Sequence, residues 1–121
     1  MDIKELYRVI QNYYGYKAHM RFINSEDKKV WFFLYDAFSV VCDVGGRYGT
    51  FGAGIEMPNG QLMTEFLGKE CSLNGDEESI RKSLKIIDDY CRMRLPDKYI
   101  EAYENAYKKS WINLNKIFVI N

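Results

Sequence analysis

Residues 30–44 read Val30-Trp31-Phe32-Phe33-Leu34-Tyr35-Asp36-Ala37-Phe38-Ser39-Val40-Val41-Cys42-Asp43-Val44, and they decide the fold. From Val30 to Tyr35 the chain is apolar at consecutive positions and rich in aromatic and β-branched side chains. That pattern predicts a central strand covered on both faces. Asp36-Ala37 then reads as a break or a bulge. Phe38, Val40, Cys42 and Val44 alternate with their neighbours, so a second strand turns one face inward. Gly45-Gly46 tolerates positive φ at both positions and predicts a hairpin. The strand expected after it, Arg47 to Met57, carries Gly49, Gly52 and Gly54, which predict strong twist, a bulge, or close approach by another backbone.

Upstream, Ile3, Leu6, Tyr7, Ile10, Tyr13 and Tyr14 recur at helical spacing, with Asp2 as cap, Glu5 three residues on, and Gly15 as the stop. From Tyr16 the period becomes two. Ala18, Met20 and Phe22 fall on one face of a strand, and Lys17, His19 and Arg21 on the other. Downstream, Pro58-Asn59-Gly60 predicts a turn, and Gln61 to Leu67 a shorter strand with Leu62, Thr64 and Phe66 on one side. Asn74 or Asp76 caps a long helix whose apolar stripe is Ile80, Leu84, Ile87, Cys91 and Leu95, widened by Ile86, Tyr90 and Met93. Pro96 opens another helix, with Ile100, Tyr103, Tyr107 and Trp111 on one face. Residues 112–121 fit a final strand or a continuing helix. The expectation is an α+β fold: an antiparallel β-meander of four or five strands, with an N-terminal helix and two C-terminal helices packed on the sheet.

The chain has 121 residues, enough for one domain with its own core and too few for a second. Seventeen basic and 17 acidic side chains cancel. Residues 1–60 hold seven of each sign and residues 61–121 ten of each. That balance lacks the basic excess on which phosphate affinity rests, so a nucleic-acid binder is not expected. Asp36, Ser39 and Asp43 interrupt the densest apolar stretch, so no membrane span is expected. The opening MDIKELYRVIQNYYG lacks the basic end and apolar stretch of a secretory signal. Cys42, Cys71 and Cys91 are odd in number and widely spaced, which fits reduced thiols in a cytoplasmic protein rather than a disulfide framework.

No motif brings chemistry with it. His19 is the only histidine, and no Cys-x-x-Cys or His-x-x-x-His is present, so neither a metal site nor a cofactor is expected. Cys42 and Cys91 fall on apolar stripes, as buried thiols do. Glu56 and Glu65 flank the Pro58 turn, where an acid pair of the glycosidase kind would stand, but two solvated carboxylates are the simpler reading. The glycine-rich stretch 45–54 lacks the Gly-Lys-Ser/Thr of a nucleotide loop. No catalytic residue is assigned, and an enzyme is not expected. The ten tyrosines point elsewhere, because Tyr combines a large apolar body with a polar tip and is favoured at protein interfaces.

Two functional classes follow. One is a binding protein that covers a partner. The other is a small cytosolic enzyme with an unsignalled site, or a homo-oligomeric interaction domain. The order of helix, meander and helices in Asp2–Tyr14, Tyr16–Leu67 and Asp76–Lys109, with the Lys, Asn, Ile and Tyr content, resembles the small cytoplasmic immunity proteins of bacterial contact-dependent inhibition and related polymorphic toxin systems. The resemblance implies stoichiometric inhibition of a cognate toxin, and a basic toxin would then meet a local cluster of acids. The candidate partner-binding residues are Arg47, Tyr48 and Phe51 in the glycine-rich hairpin, with Asp36 and Asp43 near it in sequence. An interior position is the alternative for Tyr48 and Phe51. The expected state is a monomer or a weak homodimer, the latter through an exposed edge such as Gln61–Leu67.

Overall fold

The computed structural model describes residues 1–45 and 49–120, with side chains described through Ile112. Helix α1 (Ile3–Tyr14) leads through a 3-10 turn (Gly15–Lys17) into strands β1 (Ala18–Asn24), β2 (Lys29–Leu34), β3 (Phe38–Gly45), β4 (Thr50–Glu56) and β5 (Leu62–Met63). These form an antiparallel five-stranded sheet in the order β1-β2-β3-β4-β5. A small hairpin of β6 (Glu65–Phe66) and β7 (Lys69–Glu70) follows, and then helices α2 (Glu77–Arg94) and α3 (Asp97–Ile120). The α+β fold expected from the sequence is the fold observed. No helix among the described residues is long and apolar enough to cross a membrane.

Local signals set the helix ends. The Asp2 carboxylate accepts the Glu5 backbone N–H at 2.8 Å, and Asp76 accepts that of Ser79 at 3.0 Å, so each acid satisfies a donor left free in the first turn. Gly15 ends α1 at φ +56, a conformation an L side chain resists, and the indole of Trp111 fills the space where a Cβ would stand. Leu6, Val9, Ile10 and Tyr14 of α1 and Ile80, Leu84, Ile87 and Cys91 of α2 bury themselves with the inner face of the sheet. That face consists of Val30, Phe32 and Leu34 of β2, Val40, Cys42 and Val44 of β3, and Phe51 and Ile55 of β4. The Tyr14 hydroxyl donates to the Leu84 carbonyl at 2.7 Å and ties the two helices together.

The Asp36-Ala37 break is a tight turn. Ala37 N–H returns to the Leu34 carbonyl at 3.0 Å, with Tyr35 at φ +55 and Asp36 at φ +53. Three residues, Tyr35 to Ala37, join the paired Leu34 and Phe38, and positive φ costs roughly 1–2 kcal/mol at a bulky residue such as Tyr35. Polar contacts hold it there. Tyr35 N–H donates to the Lys17 carbonyl, its own carbonyl accepts from the Tyr99 hydroxyl, and its hydroxyl donates to Asp88 at 2.5 Å. Lys17 Nζ, 3.1 Å from the other Asp88 oxygen, neutralises that buried carboxylate.

Several expectations are corrected. A register shift between Met20 and Phe22 moves Phe22 out of line with Ala18 and Met20, so it pairs with Trp31 on the outer face. On that face Trp31 and Phe33 are half-buried, shielded by neighbouring side chains, and among the described residues α3 meets it at the β1 margin, where Tyr103 and Tyr107 pack on His19. Gln61–Leu67 is not one strand. β5 pairs with β4, while β6 joins β7 and buries Phe66 against Tyr90 of α2. The divided segment offers no continuous edge to a second copy. Met93 is exposed and does not widen the α2 stripe. The tail continues α3 as helix to Ile120. β4 begins at Thr50, and its glycines admit close neighbours: a Cβ on Gly54 would lie 3.1 Å from the Met63 carbonyl.

Asp88→Ala is expected to cost about 3 kcal/mol, because it strips Lys17 and the Tyr35 hydroxyl of their buried partner. Urea unfolding measures this. Leu67 is exposed at φ +53 and precedes Gly68 at φ +82. Leu67→Asn, which tolerates that conformation, should raise stability by about 1 kcal/mol in the same assay.

Candidate functional site

The described structure distributes the sequence-predicted partner residues rather than gathering them. Arg47 and Tyr48 lie outside the described residues. Phe51 is 1% exposed, packed beside Val44 in the core, so it takes its interior alternative and is withdrawn as a contact residue. Asp43 stands half-buried on the outer face of β3, paired in register with Lys29 and filling the space above Gly52. Asp36 is exposed in the β2–β3 turn. The run of strand between the two acids separates them by about 20 Å, since each residue advances a strand about 3.3 Å. They do not form one acidic cluster.

The outer face of the sheet supplies the arginine and aromatic combination that the hairpin was expected to carry. The rings of Phe22 and Trp31 stack at 4.5 Å with an 18° interplanar angle. The guanidinium of Arg21 lies 4.6 Å above the Phe33 ring and 5.6 Å from that of Phe22. It also reaches within 3.5 Å of the Ser39 hydroxyl, which donates to Glu56 at 2.9 Å. The ridge therefore crosses four strands with its side chains already fixed against one another. Trp31 and Phe33 alternate with the buried Val30, Phe32 and Leu34, and that alternation was the available signal. Phe22 and Arg21 join them only because of the irregularity in β1, which no residue type announces.

A second feature lies where α1, β1 and α3 meet. A cleft of about 530 Å³ is lined by Tyr7, Gln11, Tyr16, His19, Tyr107 and Trp111, among others. His19 Nδ1 is 2.6 Å from an Asp36 oxygen, and the Tyr107 ring meets the imidazole edge-on at 4.8 Å. The hydrogen bond from Tyr107 to Asp36 holds the Tyr107 hydroxyl above its ordinary pKa. An ionised carboxylate accepts only, so Nδ1 carries the proton in this contact, and in the neutral imidazole Nε2 is then the acceptor.

The remaining candidates for chemistry separate. Glu56 is bonded to Ser39 on β4, while Glu65 lies in the β6–β7 hairpin, so they are not an opposed acid pair. Among the described residues no group of three His, Cys, Asp or Glu is placed to hold a metal ion. Burial pushes the Cys91 thiol up to about 12, holds that of Cys42 well above its ordinary value, and raises Cys71. These thiols are protonated at neutral pH and are weak nucleophiles.

Native Cys42 and Cys91 should resist alkylation at pH 8 and react readily in urea. Equal rates in the two states contradict the buried assignment. An unfolded thiol loses its proton near pH 8.5, whereas the folded Cys91 keeps it to about 12, so folding stability must fall as pH rises across that window. The urea midpoint should therefore be lower at pH 10 than at pH 8. No protein-family model matches the chain, and no curated protein and no solved structure matches it.

Proposed function

We propose that the protein acts in the cytoplasm by binding another protein stoichiometrically, and that the partner is a cognate toxin which it neutralises. One observation supports this reading above the others: α1 and α2 pack on the inner face of the sheet, while the opposite face presents Phe22, Trp31 and Phe33 with Arg21 laid across them. Arginine and large aromatics dominate the energetics of protein interfaces. Side chains already stacked lose little conformational freedom when a partner arrives. Around the ridge, Lys29 and Arg21 stand with Asp43 and Glu56, so a partner is selected by a pattern of both signs rather than by a long-range field. The layout resemblance supplies the toxin as partner.

The test begins with co-expression alongside the product of the gene immediately upstream. Growth should be rescued and the two proteins should co-purify at one to one. Arg21→Ala/Phe22→Ala, both at exposed positions, should weaken the complex by about 30-fold or more, measured by calorimetry. His19→Ala should bind as the parent does. The reading fails if no neighbouring product is both toxic and neutralised by the protein, or if the double variant binds undiminished.

A further inference from the structure

The cleft between α1, β1 and α3 adjoins the binding face: His19 pairs in register with Phe33, and its ring meets Tyr107 of α3. Its volume of about 530 Å³ suits a small molecule. Rings from three elements converge on it: Tyr7 of α1, Tyr16 of the connecting turn, and Tyr107 and Trp111 of α3. Tyr16 and Trp111 meet edge to face at 6.4 Å and 63°. Gly15 leaves the room that the Trp111 indole takes.

The polar groups narrow the ligand. Among the described residues that line the cleft, none carries a Lys, Arg, Asp or Glu side chain. A phosphate or carboxylate would meet the Asp36 carboxylate, which stands 2.6 Å from His19. A cation fares poorly too, because Lys108 Nζ already lies 6.0 Å from the Tyr16 ring and repels a second positive charge. A sugar brings many hydroxyls, each needing a partner, to a wall made mostly of rings. What remains is a flat, uncharged molecule with an aromatic face and few polar atoms. His19 sets which polar atom. Its Nδ1 is committed to Asp36, which also accepts from Tyr107, so the imidazole is fixed in orientation, and in its neutral form Nε2 is the acceptor.

The geometry points to this cleft as a binding site for an uncharged heteroaromatic molecule that packs among Tyr7, Tyr16, Tyr107 and Trp111 and donates a ring N–H to His19 Nε2. Asp36 is the positioning residue: it holds His19 in the accepting tautomer.

Indole and N-methylindole test this, since they share a ring system and differ in the donor. In a titration of ¹⁵N-labelled protein followed by NMR, indole should saturate shifts confined to Gln11, Tyr16, His19, Tyr107 and Trp111. N-methylindole should bind about tenfold more weakly, the value of one hydrogen bond. His19→Ala should bring the two ligands to equal affinity. Asp36→Gly, which suits the positive φ there, should reduce the preference for indole while the fold is kept. Shifts scattered over the surface, failure to saturate, or equal binding of the two indoles to the parent overturns the proposal. So does tighter, saturable binding of N-acetylglucosamine or tetramethylammonium at the same residues.

Discussion

The hydrogen bond from the Tyr35 hydroxyl to Asp88 is the contact on which the rest of the architecture depends. It joins a strained turn of the sheet to the middle of α2, across 53 residues of chain. Tyr35 is fully buried in a left-handed conformation that its side chain disfavours, and burying its ring offsets that cost by about 1.5–3 kcal/mol. The contacts at this point come from every layer. Lys17 arrives from the turn after α1, Arg92 from α2 and Tyr99 from α3. Removing the carboxylate therefore loosens the packing of all three helices relative to the sheet.

This anchoring explains the asymmetry of the molecule. α1 and α2 are drawn to the inner face, and α3 crosses the end of the sheet at the β2–β3 turn, where Tyr103 bonds the Tyr16 carbonyl and packs on Tyr35. Beyond the margin where α3 meets His19, the described residues of the outer face shield one another. The cleft has the same origin: α3 stands over the turn that carries Asp36, and β1 brings His19 beside it. The exposed ridge and the cleft thus arise from one packing arrangement.

Much of this was legible in the sequence. The caps at Asp2 and Asp76, the stop at Gly15 and the α2 stripe from Ile80 to Cys91 are local, and local stereochemistry decides them. What escaped depends on contacts distant in sequence. Asp36 and Asp43 are close in the chain and far apart in space because a strand lies between them. Phe22 leaves its expected face because one extra residue is accommodated in β1. Tyr35 and Asp36 hold a turn without glycine or asparagine because tertiary hydrogen bonds supply what those residues would have made easy. The cleft draws on residues 7 to 111, and no spacing rule connects Gln11 and His19 to Trp111.

The register shift in β1 has one more consequence. β1 is the terminal strand of the sheet, and such a strand offers unpaired backbone donors and acceptors to any passing chain. Continued addition needs an unbroken ladder, and the irregularity at Arg21 interrupts it midway. At the opposite margin β5 contributes only two residues. Both margins thus disfavour the continued strand addition that a cross-β polymer needs.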